Sequence, residues 1–156
     1  MTSAHSSLGR PSSVAASNIA SSLLTVQTSG AGFVDLTQDV ARFLREAGAR
    51  EGAVTLFIRH TSASLTIQEN ADPLVLADLK TALGRLAPEN AGWSHDTEGP
   101  DDMPAHIKTM LTATSLHIPV LKGDLALGTW QAIYLIEHRA RPHRREIVLQ
   151  FAGAAA

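Results

Sequence analysis

The stretches AVTLFIRH (Ala53 to His60) and SLTIQE (Ser64 to Glu69) carry the reading that decides the fold. Successive side chains of an extended chain point to opposite faces, so residues of one parity share a surface. In the first stretch Val54, Leu56, Ile58 and His60 share a face, and in the second Leu65, Ile67 and Glu69 do. Each predicts a strand with one apolar side, and the short polar link between them predicts a hairpin. His60 and Glu69 end these rows. An unpaired buried polar group costs roughly 1–3 kcal/mol, so two readings stand. Either the rows surface there and both groups meet water, or both point to one place on the sheet.

Outward from this pair, SLLTVQT (Ser22 to Thr28) predicts a first strand, closed by Ser29-Gly30-Ala31-Gly32. The period then changes. Thr37 as N-cap, an apolar stripe of Val40, Phe43 and Leu44, and Gly48 as stop predict a helix. Asp72-Pro73 predicts the start of a second helix, whose Leu74, Leu76, Leu79, Leu83 and Leu86 lie on one face until Pro88. From Glu89 to Met103 the chain has no period, and Pro104 opens a third, shorter helix. Leu116 to Leu121, Thr129 to Arg139 and Glu146 to Phe151 close the chain as strands. Neighbouring strands on short turns imply antiparallel pairing with helices over part of the sheet, an α+β fold. TWQAIYLIEHR is apolar on both faces, which suggests a sandwich or a subunit interface.

At 156 residues the chain fits one domain, here read as residues 21–153 behind a disordered Ser/Ala-rich leader over 1–20. The leader lacks the apolar core of a secretory signal, and no apolar run approaches the roughly 20 residues of a membrane helix. A net charge of -2 gives no reason to seek nucleic acid or an anionic membrane as partner. The basic stretch HRARPHRR reads as an exposed turn, since no aromatic platform accompanies it. With no cysteine, disulfides and thiolate chemistry are excluded, and any metal must rest on imidazole and carboxylate. That composition suits a cytoplasmic protein.

Polar chemistry concentrates in SHDTEGPDDMPAH (Ser94 to His106). A helix starting at Asp102 or Met103 puts His106 in the first turn, where the macrodipole keeps the ring neutral. His95 sits at the near end of the loop among Asp96, Glu98, Asp101 and Asp102. With His60, three imidazoles beside carboxylates are what a zinc-like divalent ion with an open position requires. The spacing matches no known zinc signature, so a solvated acidic loop with two incidental histidines is the alternative. His60-Thr61-Ser62-Ala63-Ser64 offers hydroxyls and backbone N–H groups as a possible anion cradle, or simply a turn. Gln131 is either a satisfied core amide or a ligand. No phosphate-binding glycine loop is present.

The motifs HTSASLTIQENADP (His60 to Pro73), HDTEGPDDMPAHIK (His95 to Lys108) and LALGTWQAIYLIEHR (Leu125 to Arg139) resemble the YjbQ family, often labelled secondary thiamine-phosphate synthase. The resemblance spans about Ser21 to Gly153. It implies a β-sandwich-like α+β fold with about three helices, assembled as a homotrimer, with the polar motifs meeting in a pocket near the subunit interface. It also implies that His60, His95 and His106 act together, as metal ligands or as acid and base. Thr61, Ser62, Ser64 and Gln131 would bind a small phosphorylated molecule beside them, while Glu69 or Asp102 orients a histidine. The implied activity is a weak transfer reaction joining a pyrimidine pyrophosphate to a thiazole phosphate, for which Arg59, Lys108 and Arg139 are the candidate clamps. The alternative is a non-catalytic module that binds a metal or a small anion.

Overall fold

A computed structural model describes residues 6–156; residues 1–5, part of the expected leader, lie outside the described residues. Residues 6–17 have no regular secondary structure, and β1 (Asn18–Gln27) starts inside the segment read as leader. Then follow β2 (Gly32–Asp35), α1 (Thr37–Glu46), β3 (Ala49–Ile58), β4 (Ala63–Glu69), α2 (Pro73–Leu86) and α3 (Asp102–Leu111). β5 (Ser115–Leu121), β6 (Asp124–Leu125), β7 (Gln131–Glu137) and β8 (Arg144–Ala155) complete the chain. The strands form two antiparallel sheets, one ordered β1-β8-β3-β5-β6 and the other β2-β7-β4. The fold is α+β, with three helices among the described residues, as expected.

One expectation fails: β3 and β4 are not a hairpin. β3 pairs with β5 and β8, whereas β4 pairs with β7, so the link Arg59 to Ser62 carries the chain from one sheet to the other. A hairpin would have left both apolar rows on one sheet; the crossing lets them face each other. Val54, Leu56 and Ile58 from β3 meet Leu65 from β4 and Ile133 and Leu135 from β7 in a common core with Ile147, Leu149 and Phe151 from β8. The length of β4 separates His60, just past the end of β3, from Glu69, at the far end of β4. They do not point to one place. Six residues of strand put Glu69 about 20 Å from Ala63.

α1 closes the sandwich with Val40, Phe43 and Leu44 buried, and stops at Gly48, whose φ of 63° suits glycine. Its cap position is Leu36 rather than Thr37. Thr37 is the first helical residue: its N–H donates to Asp35 Oδ1 at 2.8 Å, and its hydroxyl accepts from the Ile133 N–H at 3.0 Å. α2 starts as read, the Asp72 carboxylate accepting from the Leu74 N–H at 2.8 Å with Pro73 behind it. Yet none of its residues is buried: Leu74 is 67% and Leu86 66% exposed. The doubly apolar β7 is buried on both faces, the side away from the core carrying Tyr134 edge-on to Phe33. Gly52 and Gly153 are paired where β3 and β8 approach closely, and a Cβ on Gly153 would lie 2.1 Å from the Glu51 carbonyl oxygen.

Candidate functional site

α3 begins two residues before Pro104, with Asp101 at its cap. A proline in the first turn is tolerated because those N–H groups have no helical acceptor. His106 is therefore the fifth helical residue, beyond the first turn, and the expected influence of the macrodipole on its ring largely falls away. The same start puts Asp102 and His106 four residues apart on one face. The loop folds His95 back over that face. His95 Nε2 lies 2.9 Å from Asp102 Oδ2, His106 Nε2 lies 3.7 Å from Asp102 Oδ1, and the two ring centres are 5.4 Å apart. The Asp102 side chain is buried, His106 is partly covered and His95 is half exposed.

Arg139 holds this arrangement from below. Its Nη1 donates to Asp102 Oδ1 at 2.6 Å, its Nε to Asp101 Oδ2 at 3.1 Å and its Nη2 to the Glu98 carbonyl at 2.8 Å. The Ala140 N–H adds a donor to Asp101 at 2.8 Å. Burial alone would raise the Asp101 carboxyl, but the Ala140 N–H and Arg139 outweigh it and its pKa is lowered. The segment 87–101 between α2 and α3, which has no helix or strand, is thus tied down by one guanidinium.

One ligand atom each from His95, Asp102 and His106 lies within 4.8 Å of the others. Ligands about 2.0–2.1 Å from a tetrahedral zinc stand about 3.3 Å apart, so the 2.9 Å between His95 Nε2 and Asp102 Oδ2, with a His106 nitrogen within 4.8 Å of both residues' ligand atoms, suits a shared small cation. Asp102 Oδ1 is occupied by Arg139, which leaves Oδ2 to serve it. The same geometry also makes a histidine–carboxylate pair, in which Asp102 fixes the His95 ring for proton transfer.

His60 stands outside this group. Its Nε2 accepts the Glu146 N–H at 2.8 Å, and burial, then Arg145, lower its pKa. It lines an open cleft with Phe57, Arg59, Thr61, Ser62 and Thr114. The turn touches α3, since the Thr109 hydroxyl donates to the Thr61 carbonyl at 3.1 Å. Ser62 Oγ accepts from Arg145 at 3.1 Å, whereas Ser64 is 1% exposed, its hydroxyl 2.8 Å from His138 Nε2 and 2.6 Å from Thr112 Oγ1. Gln131 is exposed, its Oε1 accepting the Gly128 N–H, and it pairs across from Glu69 at the distant end of β4. The structure thus gathers His95, His106 and Asp102, with Thr61 nearby through α3, and leaves Glu69 and Gln131 apart within one chain.

Sequence reasoning overlooked His138 and Arg145. His138 continues the face of Tyr134 and Ile136, and Arg145 that of Ile147, Leu149 and Phe151. The parity signal that singled out His60 was available for both.

The family model described as "UPF0047 protein YjbQ-like" matches residues 22–154. The UPF0047 protein sll1880 of Synechocystis sp. is 48% identical over 132 residues, covering 84% of this chain and 90% of that protein. The UPF0047 protein YjbQ of Escherichia coli O157:H7 is 41% identical over 131 residues, covering 83% and 95%. A crystal structure of an uncharacterised conserved protein of the same family from Clostridium acetobutylicum superimposes with a TM-score of 0.77 at 35% identity, covering 83% of this chain and 98% of that one.

Proposed function

This chain belongs to the YjbQ-like UPF0047 family, and on that footing we propose that it is a small-molecule enzyme whose His95, Asp102 and His106 bind a zinc-like divalent cation beside a phosphate-binding turn. The convergence of these three ligand atoms within 4.8 Å carries the reading. The cation would polarise a phosphoryl or carbonyl oxygen of the substrate. Thr61 and Ser62 supply hydroxyls for the phosphate, with Arg59, exposed at the rim, as its counter-charge. His60 is neutral at pH 7, and with Nε2 accepting from Glu146 its Nδ1 carries a proton to donate. Ser64 acts as the support that fixes the turn to His138. The reaction to try first is thiamine phosphate formation from its pyrimidine pyrophosphate and thiazole phosphate precursors.

The cation is expected to bind at one per chain in a zinc titration of metal-stripped protein, with affinity at least about tenfold lower in Asp102→Asn. Product formation should collapse in His106→Ala and His60→Ala variants whose fold is unchanged. Zinc uptake without turnover would favour a binding module; turnover indifferent to both substitutions would reject the site.

We also propose a homotrimer. The unburied apolar face of α2, together with Trp130 at 64% and Met110 at 84% exposure, supports subunit packing. Glu69 and Gln131 then enter the site only from a neighbouring copy. Light scattering should return three chain masses; a particle of one chain mass would remove both statements.

A further inference from the structure

On the side of α3 away from His106 lies a cavity of about 190 Å³ between α2, α3, β2 and β7. Lys108, which opens onto it, is two residues beyond His106 and so about 200° around the helix. Its apolar wall is Phe33, Leu83 and Ile136, and its polar wall includes Lys80, Lys108 and His138. We propose that this cavity binds a small organic monocarboxylate with a compact apolar body, its carboxylate held by Lys108. The site is separate from the His95–Asp102–His106 group and stands whether or not that group binds a metal.

The charges select the ligand. Three carboxylates also reach the cavity: Glu89, Asp101 and Glu137. Asp101 is turned to its own donors, the Ala140 N–H and Arg139, whose single charge it shares with Asp102 and Glu98. Glu137 is neutralised by Arg145 and further satisfied by the Thr28 hydroxyl and the Arg139 N–H. Two ammonium groups then face one unpaired carboxylate, Glu89, which is exposed. With Asp101 and Glu137 held by their own donors, the cavity retains at most one uncompensated positive charge, which suits a monoanion and disfavours a phosphate dianion. Lys80 donates to the Ala31 carbonyl at 2.8 Å, whereas the half-buried Lys108 ammonium has no hydrogen bond or ion pair among the described residues and senses Glu89 and Asp101 only at a distance. A partly desolvated cation without a partner beside an apolar wall is the counterpart of a carboxylate on a hydrophobic body.

Size sets the rest. A cavity of roughly 150 Å³ admits a benzene-sized guest, so 190 Å³ takes a ring of that size with a carboxylate attached. His138, kept neutral by burial, adds no second charge that would call for a dianion.

The probe is sodium benzoate, titrated into the full-chain protein and followed by backbone amide shifts and by calorimetry. One saturable site per chain is expected, with shifts at Gly32, Gly84 and Lys108. Lys108→Met should weaken binding by about tenfold or more, as loss of one charge-assisted contact implies, and benzyl alcohol should bind correspondingly worse than benzoate. Gly84→Leu provides a second variant that the fold tolerates, because a Cβ there meets nothing within 4 Å while the residue lines the cavity. Benzoate affinity should survive Asp102→Asn, so that failure of the metal site leaves this result standing. Absence of saturable binding would overturn the proposal. So would inorganic phosphate displacing benzoate at equal concentration, or affinity unchanged in both Lys108→Met and Gly84→Leu.

Discussion

Replacing Arg145 with methionine is expected to destabilise the fold by about 3–5 kcal/mol, the cost of leaving one member of a buried ion pair behind. Glu137 sits at the end of the Ile133–Leu135 row, 1% exposed, and Arg145 at the end of the Ile147–Leu149–Phe151 row, 4% exposed. Arg145 Nε donates to Glu137 Oε2 at 2.7 Å, and its Nη2 donates to the other carboxylate oxygen and to Ser62. Burial would raise the Glu137 carboxyl, but Arg145, the Arg139 N–H and Thr28 outweigh it, so the group remains an anion that needs its partner. Urea unfolding at pH 7 reads the loss. The double variant Arg145→Met/Glu137→Leu should recover most of it, because removing both charges also removes the desolvation cost. An exposed control, Arg59→Ala, which breaks the surface pair with Glu146, should cost less than about 1 kcal/mol. An Arg145→Met loss no larger than that control would mean the pair does not brace the core.

Acidification is expected to remove a further share of stability through His138. Burial, then the charge of Lys108, lower its pKa to about 4, against the ordinary value of 6.5 that the unfolded chain restores. Above pH 6.5 neither state holds the proton and the full stability is present. As pH falls the unfolded chain takes up the proton first, so stability declines until the folded ring also protonates near pH 4. The difference corresponds to about 3 kcal/mol across that window. His60, whose pKa is also lowered, acts in the same direction, and Glu137 adds its loss only as pH falls through its own lowered value. Urea midpoints between pH 7 and 4 should therefore slope, and His138→Gln should flatten most of the slope. An unaltered slope in that variant would assign the acid sensitivity elsewhere.

Much of this architecture was legible in residue order. Parity found the buried row Val54, Leu56 and Ile58, and the double burial of β7 announced a second covered layer. Asp72-Pro73 and Gly48 marked helix ends by local chemistry alone. Pairing was not legible. The link between β3 and β4 is as short as a hairpin turn, and only tertiary packing decides that it crosses between sheets. β2 has four residues, the first a glycine, and is a strand because β7 offers it an edge. The start of β1 at Asn18 is held by register with Gly153 rather than by any apolar pattern. For the site, the loop histidines announced themselves through neighbouring carboxylates, and His95 and His106 do meet on Asp102. The separation of His60 from Glu69 was open to reading as well, since the length of β4 alone sets it. His138 ends the Tyr134–Ile136 row, and its role rests on the Ser64 hydroxyl that only the β4–β7 pairing brings to it.

The segment from Glu137 to Arg139 alternates in direction over three residues: Glu137 inward to the core ion pair, His138 outward to Ser64, Arg139 into the loop that carries His95. Scaffold integrity and loop geometry therefore share a single tether. Damage to any of the three will propagate to the others, so an inactive variant here is as readily a loosened frame as a lost reactant. Soluble yield and melting temperature must be scored beside turnover before either explanation is accepted.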